Sequence, residues 1–407
     1  MENNEPVVPA PAACESDWEY GAERFAAITW SFVTEGGDER AHGAVTRFGY
    51  LDALERLRGA DIELQQLAES AWKVWRKHLD QIEGDDRVNA HKRWLRALQR
   101  LDAHVLIPSD PLWPTALNDL GESTPIALWV RGTRAKMNEL LGERAPESIS
   151  IVGSRAASGK GIRIATDFAF DLAADHIVAS GGAFGIDAAA HKGALLAGGP
   201  TVIFSAAGVD RVYPSSHTEL FQQVRTGGGL VISEHPLGAA PHAHRFLLRN
   251  RLIAAFSRAT LVVEAPVRSG ALSTARAALA IGRNVGAVPG AIDSPNSLGC
   301  HELIRNGGTL IASVAHLREL AAPIGIQLSL AEDTPDFFNP APSELGERGV
   351  RVYDAVPKRV PAETARIAKI AGVTPREARA ELGKMALFGL VAQRNGRWVK
   401  ASPASKL

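Results

Sequence analysis

The sequence predicts an α/β protein: a doubly wound parallel sheet at the centre, a helical unit before it and a small winged-helix pattern after it. Three observations carry this. Short apolar runs recur between residues 148 and 313, spaced by roughly 25–30 residues, the length of one βα unit. The runs are apolar throughout rather than alternating, which indicates strands buried on both faces. Segments of helical length separate them, the pattern of a sheet covered on two sides.

The elements follow in order. Residues 1–20 hold Pro6, Pro9, Pro11 and five acids with no Lys or Arg. That composition predicts a disordered tail and not a secretory leader. Residues 21–105 read as a bundle of short helices: Leu64, Ala68, Trp72, Trp75 and Leu79 recur at steps of three and four, one helical face. Residues 106–321 hold the sheet. Asp110-Pro111-Leu112-Trp113-Pro114 is a rigid turn and Ala127–Gly132 a strand. The buried strands are Ile149–Val152, Ile177–Ala179, Thr201–Phe204, Leu230–Ile232, Ala259–Val263, Asn284–Val288 and Thr309–Ile311. Helices are expected over Gly161–Ala174, Ile186–Ala197, Ser216–Arg225, Arg245–Phe256 and Ala271–Ile281. Residues 322–348 carry Pro323, Pro335, Pro340 and Pro342 among acids, a linker composition. Residues 349–401 read as helix, turn, helix, hairpin. Thr374-Pro375 supplies an N-cap and a first-turn proline, and Asn395-Gly396 a hairpin turn.

Composition bounds the function. The 407 residues carry 45 Lys+Arg against 45 Asp+Glu, so no global basic surface announces a nucleic-acid partner. Residues 150–312 are nevertheless locally basic, with 14 Lys/Arg against 10 Asp/Glu. Two distant cysteines, Cys14 and Cys300, offer no disulfide framework and no Cys-rich zinc site, which fits a reducing cytoplasm. No apolar run is long enough for a membrane span. The C-terminal Ser405-Lys406-Leu407 matches a peroxisomal address, but three residues match by chance too easily to carry weight.

Ligands of a parallel sheet bind outside the carboxyl ends of its strands. After the first buried strand come Gly153-Ser154-Arg155 and Ser158-Gly159-Lys160-Gly161, where free backbone N–H groups at a helix start and a guanidinium favour a phosphate. Neither GxGxxG nor GxxxxGK[ST] is present, so a dinucleotide or P-loop site is not expected. After the second come Ser180-Gly181-Gly182-Ala183-Phe184-Gly185-Ile186-Asp187 and His191, glycines that let a backbone approach a ligand. Asp187 reads as a helix N-cap or, with His191 one turn on, as half of a pair bonded to each other; an acid–base pair is the less favoured reading because no nucleophile is evident nearby. His235, His242 and His244 raise a metal site, but without a matching cysteine or HExxH they read as a solvated loop. Arg245, Arg249, Asn250 and Arg251 exceed what a solvated helix face needs. Ser269-Gly270-Ala271-Leu272-Ser273-Thr274 is a second phosphate-type cradle. Several small anion sites along one sheet edge suit a polyanion better than one nucleotide. No metal, cofactor or catalytic residue is expected.

Taken in this order, these motifs resemble the DNA processing protein A (DprA, or Smf) family. The resemblance covers the 148–313 region and also takes in Tyr213-Pro214, Ser233-Glu234, Val263-Glu264-Ala265 and Val288-Pro289-Gly290. It implies an extended Rossmann-like domain between a sterile-alpha-motif-like or helix-hairpin-helix-like start and a winged-helix end. It implies a non-enzymatic protein that binds single-stranded DNA, forms homodimers through the Rossmann domain and loads RecA in natural transformation, displacing or bypassing single-strand-binding protein. Carried onto this sequence, Gly153, Ser154 and Arg155 hold a phosphate. The Ser180–Gly185 loop, with Gly181, Gly182 and Phe184, tracks the backbone. Arg249, Asn250 and Arg251 form the family's RNR segment, and Ser269, Gly270, Ser273 and Thr274 complete the pocket. Two positions depart from the pattern. Phe184 stands where the family has a basic residue, either stacking on a base or buried as core. His301 replaces an Asn.

Two other readings compete. A LOG-type (lysine-decarboxylase-like) phosphoribohydrolase shares a related fold and would draw on Glu264 and Asp187, but its Pro-Gly-Gly-x-Gly-Thr-x-x-Glu segment is missing: Pro289-Gly290 runs into Ala291-Ile292-Asp293. A duplex-DNA regulator would act through the C-terminal unit. There Arg376, Arg379 and Lys384 are balanced by Glu377 and Glu381, a poor grip on phosphates, so a protein-contact or stabilising role is expected for it.

Overall fold

A computed structural model describes residues 21–84, 87–142, 147–322, 345–387 and 390–401, with the backbone alone for 87–91 and 387. The expected tail (1–20), residues 323–344 of the expected linker and Ser405–Leu407 lie outside them; the last residues assigned to the linker, from Gly346 on, are helical. The chain divides between residues 328 and 329 into two compact units.

The first unit opens with six helices: α1 (Ala22–Val33), α2 (Glu39–Phe48), α3 (Tyr50–Arg58), α4 (Ile62–Ala68), α5 (Ala71–Glu83) and α6 (Arg87–Leu101). Asp38 and Asp61 cap α2 and α4 through their carboxylates. Trp30, Leu54, Leu57, Leu64, Trp75 and Leu79 form the bundle's core, with Trp30 and Trp75 edge to face at 5.4 Å.

Among the described residues the sheet has nine strands: β1 (Ala103–Leu106), β2 (Leu128–Arg131), β3 (Ser148–Val152), β4 (Ile177–Ser180), β5 (Thr201–Phe204), β6 (Leu230–Ser233), β7 (Ala259–Val262), β8 (Asn284–Ala287) and β9 (Thr309–Leu310). Their order is β1-β2-β6-β5-β4-β3-β7-β8-β9. Seven run parallel. The expectation of a purely parallel sheet needs correcting at one edge, where β2 lies antiparallel to β6 and β1 antiparallel to β2. Antiparallel neighbours need no crossover helix, so a short excursion through a 3-10 segment (Thr115–Ser123) suffices to cover the β6 edge. The remaining helices are α7 (Arg134–Leu141), α8 (Gly159–Leu172), α9 (Ile186–Leu196), α10 (Thr218–Thr226), α11 (Ala243–Phe256), α12 (Gly270–Ala280), α13 (Leu298–Arg305) and α14 (Val314–Ala321).

Residues of α8, α9 and α14 form one apolar layer on the sheet, and residues of α11, α12 and α13 another. Strands β3 to β7 are buried throughout, as continuous apolar runs require, but the expectation of a buried strand at Thr309–Ile311 needs correcting: β9 is the sheet's edge strand and both its residues are exposed. A third layer joins the leading helices to the sheet: Ala27 and Ile28 of α1 and Leu98 of α6 pack with Val105, Trp129, Ile203 and Phe221.

The second unit holds α15 (Gly346–Ala355), α16 (Thr364–Ala371), α17 (Pro375–Leu387) and an antiparallel pair, β10 (Val391–Arg394) and β11 (Arg397–Lys400). Thr374 and Glu377 cap α17 reciprocally. Asn395 and Gly396 both take positive φ at the hairpin turn. Val352, Ile367, Leu382, Met385 and Trp398 form its core.

Candidate functional site

The strand order reverses at β3. From it the chain moves outward through β4, β5 and β6, then returns to place β7 on the other side. Such a switch point leaves a crevice beyond the carboxyl ends of the strands. Here it is a cleft of about 440 Å³ between the loops after β3, β4 and β7 and the first turns of α11 and α12.

Gly153, Ser154 and Arg155 line it, with Arg249, Asn250, Ser269, Gly270 and Thr274. Ser154 is buried, and its hydroxyl accepts from the N–H of Ala156 (3.2 Å), which fixes the turn that presents Arg155 outward. Ser269 caps α12 through the N–H of Ala271 (3.2 Å). Asn250 donates to Gly270 O (3.2 Å), tying α11 to that cap.

Other expected residues do not line the cleft. Ser180 is wholly buried and donates to Ile151 O (2.7 Å), a latch beneath the loop rather than a ligand. Gly181, Gly182 and Gly185 serve the loop's packing. A Cβ on Gly181 would lie 2.5 Å from the Arg249 guanidinium, and Gly185, at φ +75°, would bring one within 2.2 Å of Ser154 O. Ser273 lies one residue from Thr274 but outside the lining. Arg251 points elsewhere: both terminal nitrogens bind Glu234 (2.7 Å) and its Nε donates to Ser123 O (3.2 Å). A helix sends successive residues about 100° apart, so of the Arg249-Asn250-Arg251 triplet only the first two face the cleft.

Arg249 is buried as well. It donates to Gly181 O (2.8 Å) and Phe204 O, so it braces the glycine loop against β5. Burial lowers its pKa to about 10 despite the nearby Asp187, which leaves it charged at neutral pH. Burial in turn pushes the Asp187 carboxyl above the usual range, against the charge of Arg249 and the N–H groups of Ala183 and Gly181. Neither structural expectation for Asp187 holds: Gly185, not Asp187, is the N-cap of α9, and Asp187 and His191 do not bond to each other. Asp187 accepts from Ala183 N (3.4 Å). His191 Nδ1 donates to Thr201 Oγ1 (2.7 Å), whose own proton goes to Val178 O (2.7 Å).

The start of α8 also departs from the expectation of free N–H groups. The Glu264 carboxylate accepts from Ser158 N (2.8 Å) and from its hydroxyl, and Ser158 Oγ accepts from Gly161 N (3.0 Å). The protein's own anion fills that helix terminus. Asn296 holds the same carboxylate (3.3 Å). His301 fastens a turn, donating from Nε2 to Gly290 O (3.1 Å). Of the three loop histidines, His235 is buried, whereas His242 and His244 stack on each other at 5.8 Å.

Two cleft cations are open. Arg155 and Arg268 are exposed and make no ion pair among the described residues. Arg155 lies 5.3 Å from the ring of Phe246, a cation–π contact, and Phe246 lies 5.2 Å from Tyr213. Phe184 is 47% exposed and sits edge-on to His217 at 4.7 Å, so the buried-core alternative for it is excluded. Arg268 and Phe246 are the residues sequence reasoning missed. Arg268 was legible as the cation beside Ser269-Gly270, and Phe246 as an apolar residue in a polar first turn. Among the described residues no group of three His, Cys, Asp or Glu side chains could hold a metal ion.

Comparison with known proteins follows the same lines. The sequence profile of the family described as DNA recombination-mediator protein A matches residues 104–322. The putative DNA processing protein DprA of Mycobacterium tuberculosis is 39% identical over 315 residues, 75% of this chain and 78% of that protein. Protein Smf of Escherichia coli is 34% identical over 305 residues, 73% and 77% respectively. The X-ray structure of DNA processing protein A from Streptococcus pneumoniae superposes with a TM-score of 0.59 at 27% identity, covering 74% of this chain and 98% of that one.

Proposed function

The chain belongs to the DNA recombination-mediator protein A family, and from that premise we propose that it binds single-stranded DNA in the switch-point cleft and mediates recombination without turning a substrate over. One observation carries the reading. Two exposed guanidiniums with no ion pair among the described residues, Arg155 and Arg268, share the cleft with Phe246, which packs against the exposed ring of Tyr213. Unpaired cations follow a phosphate backbone and exposed rings stack on bases of any identity, the two ingredients of sequence-tolerant single-strand binding. Phe184, on the neighbouring loop, offers a further ring in place of a phosphate contact.

Two features argue for binding rather than hydrolysis. Glu264 is engaged by Ser158 and Asn296 as a helix cap. Asp187 is buried against Arg249. Glu264 is committed to the α8 cap, and Asp187, although it edges the cleft, is held by Arg249 and the glycine-loop N–H groups, which disfavours the phosphoribohydrolase alternative. We further propose that the protein acts as a homodimer through the sheet domain and loads RecA onto the bound strand during natural transformation, with single-strand-binding protein as the competitor. The leading helices would be the family's sterile-alpha-motif-like part. The second unit has the helix–helix–hairpin order of a winged helix, and its balanced charges favour a protein-contact or stabilising role.

The test is a titration of wild type, Arg155→Ala and Arg268→Ala with single-stranded and duplex oligonucleotides at low and physiological salt. Preference for single strands, lost in both variants while they stay folded, supports the reading. Binding unchanged in both variants places the strand elsewhere.

A further inference from the structure

A second cleft, of about 690 Å³, runs along α6 and is lined by Phe32, Arg93, Trp94, Arg96, Arg100 and Leu237. Three observations set it apart. First, residues 87–101 contain five Lys or Arg and no Asp or Glu. The arginines of the other leading helices are neutralised: Arg40, Arg47, Arg56, Arg58 and Arg76 each meet a carboxylate. Arg93, Arg96 and Arg100 are exposed and make no ion pair among the described residues. Second, their spacing of three and four puts them in one stripe along the helix. Third, Phe32 and Trp94 stack at 4.8 Å, nearly parallel, against the same cleft.

We infer that this α6 groove is a second contact for single-stranded DNA, gripping a phosphate run that continues from the switch-point cleft. The inference builds on the single-strand reading of the first cleft. A stripe of like charges raises the potential along the helix and is kept without compensation, which a polyanion would relieve. The paired rings favour a single strand over a duplex, because only an unpaired strand offers base faces to an aromatic ledge. The connection is short. Leu237, which edges the α6 groove, stands on the segment between β6 and α11, and nine residues later Phe246 edges the first cleft. Nine residues reach at most about 30 Å, so one strand of modest length can occupy both.

The experiment compares the full chain with the Arg93→Ala/Arg96→Ala/Arg100→Ala variant and the corresponding triple Lys variant. The probes are a single strand of about eight nucleotides, enough for one site, one of about 40, and a duplex of the same length. The alanine variant is expected to weaken binding of the long strand roughly tenfold or more and to reduce its salt slope by about two. The short strand should bind as before, and the lysine variant should bind like wild type. Unchanged long-strand affinity in the alanine variant overturns the inference. So does equal loss on short and long strands, which would mark a general field effect, and so does loss confined to the duplex, which would make duplex the occupant. Arg155→Ala with the short strand judges the first cleft separately, so failure of that reading is told apart from failure of this one.

Discussion

Arg251 meets Glu234 with both terminal nitrogens at 2.7 Å, and the Glu234 side chain is only 3% exposed. The pair joins α11 to the end of β6, and Glu234 also accepts from the backbone of Gly37, in the loop after α1. With the Arg251 bond to Ser123 O in the 3-10 segment, the pair ties α11, the sheet edge, that segment and the loop after α1 together. Breaking a buried pair leaves an uncompensated charge, a loss of about 3–5 kcal/mol. Arg251→Ala should lower the urea midpoint accordingly, whereas the folded fraction should still bind a short single strand. A variant that keeps full stability and loses DNA would return Arg251 to the binding site.

Acid should act on the fold in two windows. Burial would raise the pKa of Glu234, but the charge and hydrogen bonds of Arg251 outweigh it and hold the carboxyl below the usual 4.5. A depressed carboxylate stabilises above its unfolded value, and that stability is lost as pH falls below about 4.5. His191 acts earlier. Burial, aided by Arg249 and His217, lowers its pKa to about 3 from 6.5. Between those values the unfolded chain takes the proton and the folded chain refuses it, so stability falls by about 1.4 kcal/mol per pH unit below 6.5. His191→Gln should flatten that part of the profile in urea unfolding at stepped pH. An unchanged slope would assign it to other groups, His235 first, whose pKa burial also lowers.

How far the sequence reaches can be seen residue by residue. Strands β3 to β7 were legible because burial on both faces leaves an apolar run that few other elements produce; β8 and the exposed edge strand β9 were read from their spacing. β1 was not: Ala103-His104-Val105-Leu106 follows α6 directly, with only Asp102 at positive φ to mark the break and no Gly, Asn or Pro there to announce it. Side-chain partnership was also hidden. Glu264 fills the α8 terminus and Arg251 turns to Glu234 because residues 106 and 17 positions away happen to meet them, and no local pattern records such meetings. Residues around one tight turn, Gly153 to Arg155, were readable because the backbone conformation and the exposed cation are set locally.

The glycine loop sets the cleft's shape through steric limits. Gly181→Ala would drive a methyl into the Arg249 guanidinium, and Gly185→Ala adds the strain of φ +75° to a clash with Ser154 O. Overpacking of this kind costs about 1–3 kcal/mol. Either variant should lose stability of that order and bind single strands more weakly, because Arg249 holds the loop and Ser154 the neighbouring turn. Gly198→Ala is a control. It shares the positive φ but meets no atom within 4 Å, so it should lose stability through backbone strain alone and retain DNA binding.

Cys300 reports folding directly. It is fully buried, and burial raises its thiol to about 12. The thiolate is the reactive form, so in a Cys14→Ser background a thiol reagent at neutral pH should label the protein no faster than it opens. Urea should raise the labelling rate in step with unfolding of the sheet. Fast labelling in native buffer would mean that α13 detaches from the sheet without global unfolding.

Cation and ring in the first cleft make separable contributions. Arg268 would neutralise a phosphate, so Arg268→Ala should reduce the single-strand salt slope by about 0.7 and weaken binding most at low salt. Phe246 carries no charge. Phe246→Leu keeps its apolar contacts but removes the face that Arg155 and Tyr213 approach. It should weaken binding by about 1–3 kcal/mol through lost stacking on one base, with a smaller change in slope than Arg268→Ala. The two losses should add in the double variant only if strand and base are held independently. Because Arg155 rests on the Phe246 ring, removing that ring should also free Arg155, so the Arg155→Ala/Phe246→Leu pair is expected to fall short of additivity while Arg268→Ala/Phe246→Leu reaches it. Measured by anisotropy at stepped salt, equal coupling in both pairs would mean that the ring does not position Arg155.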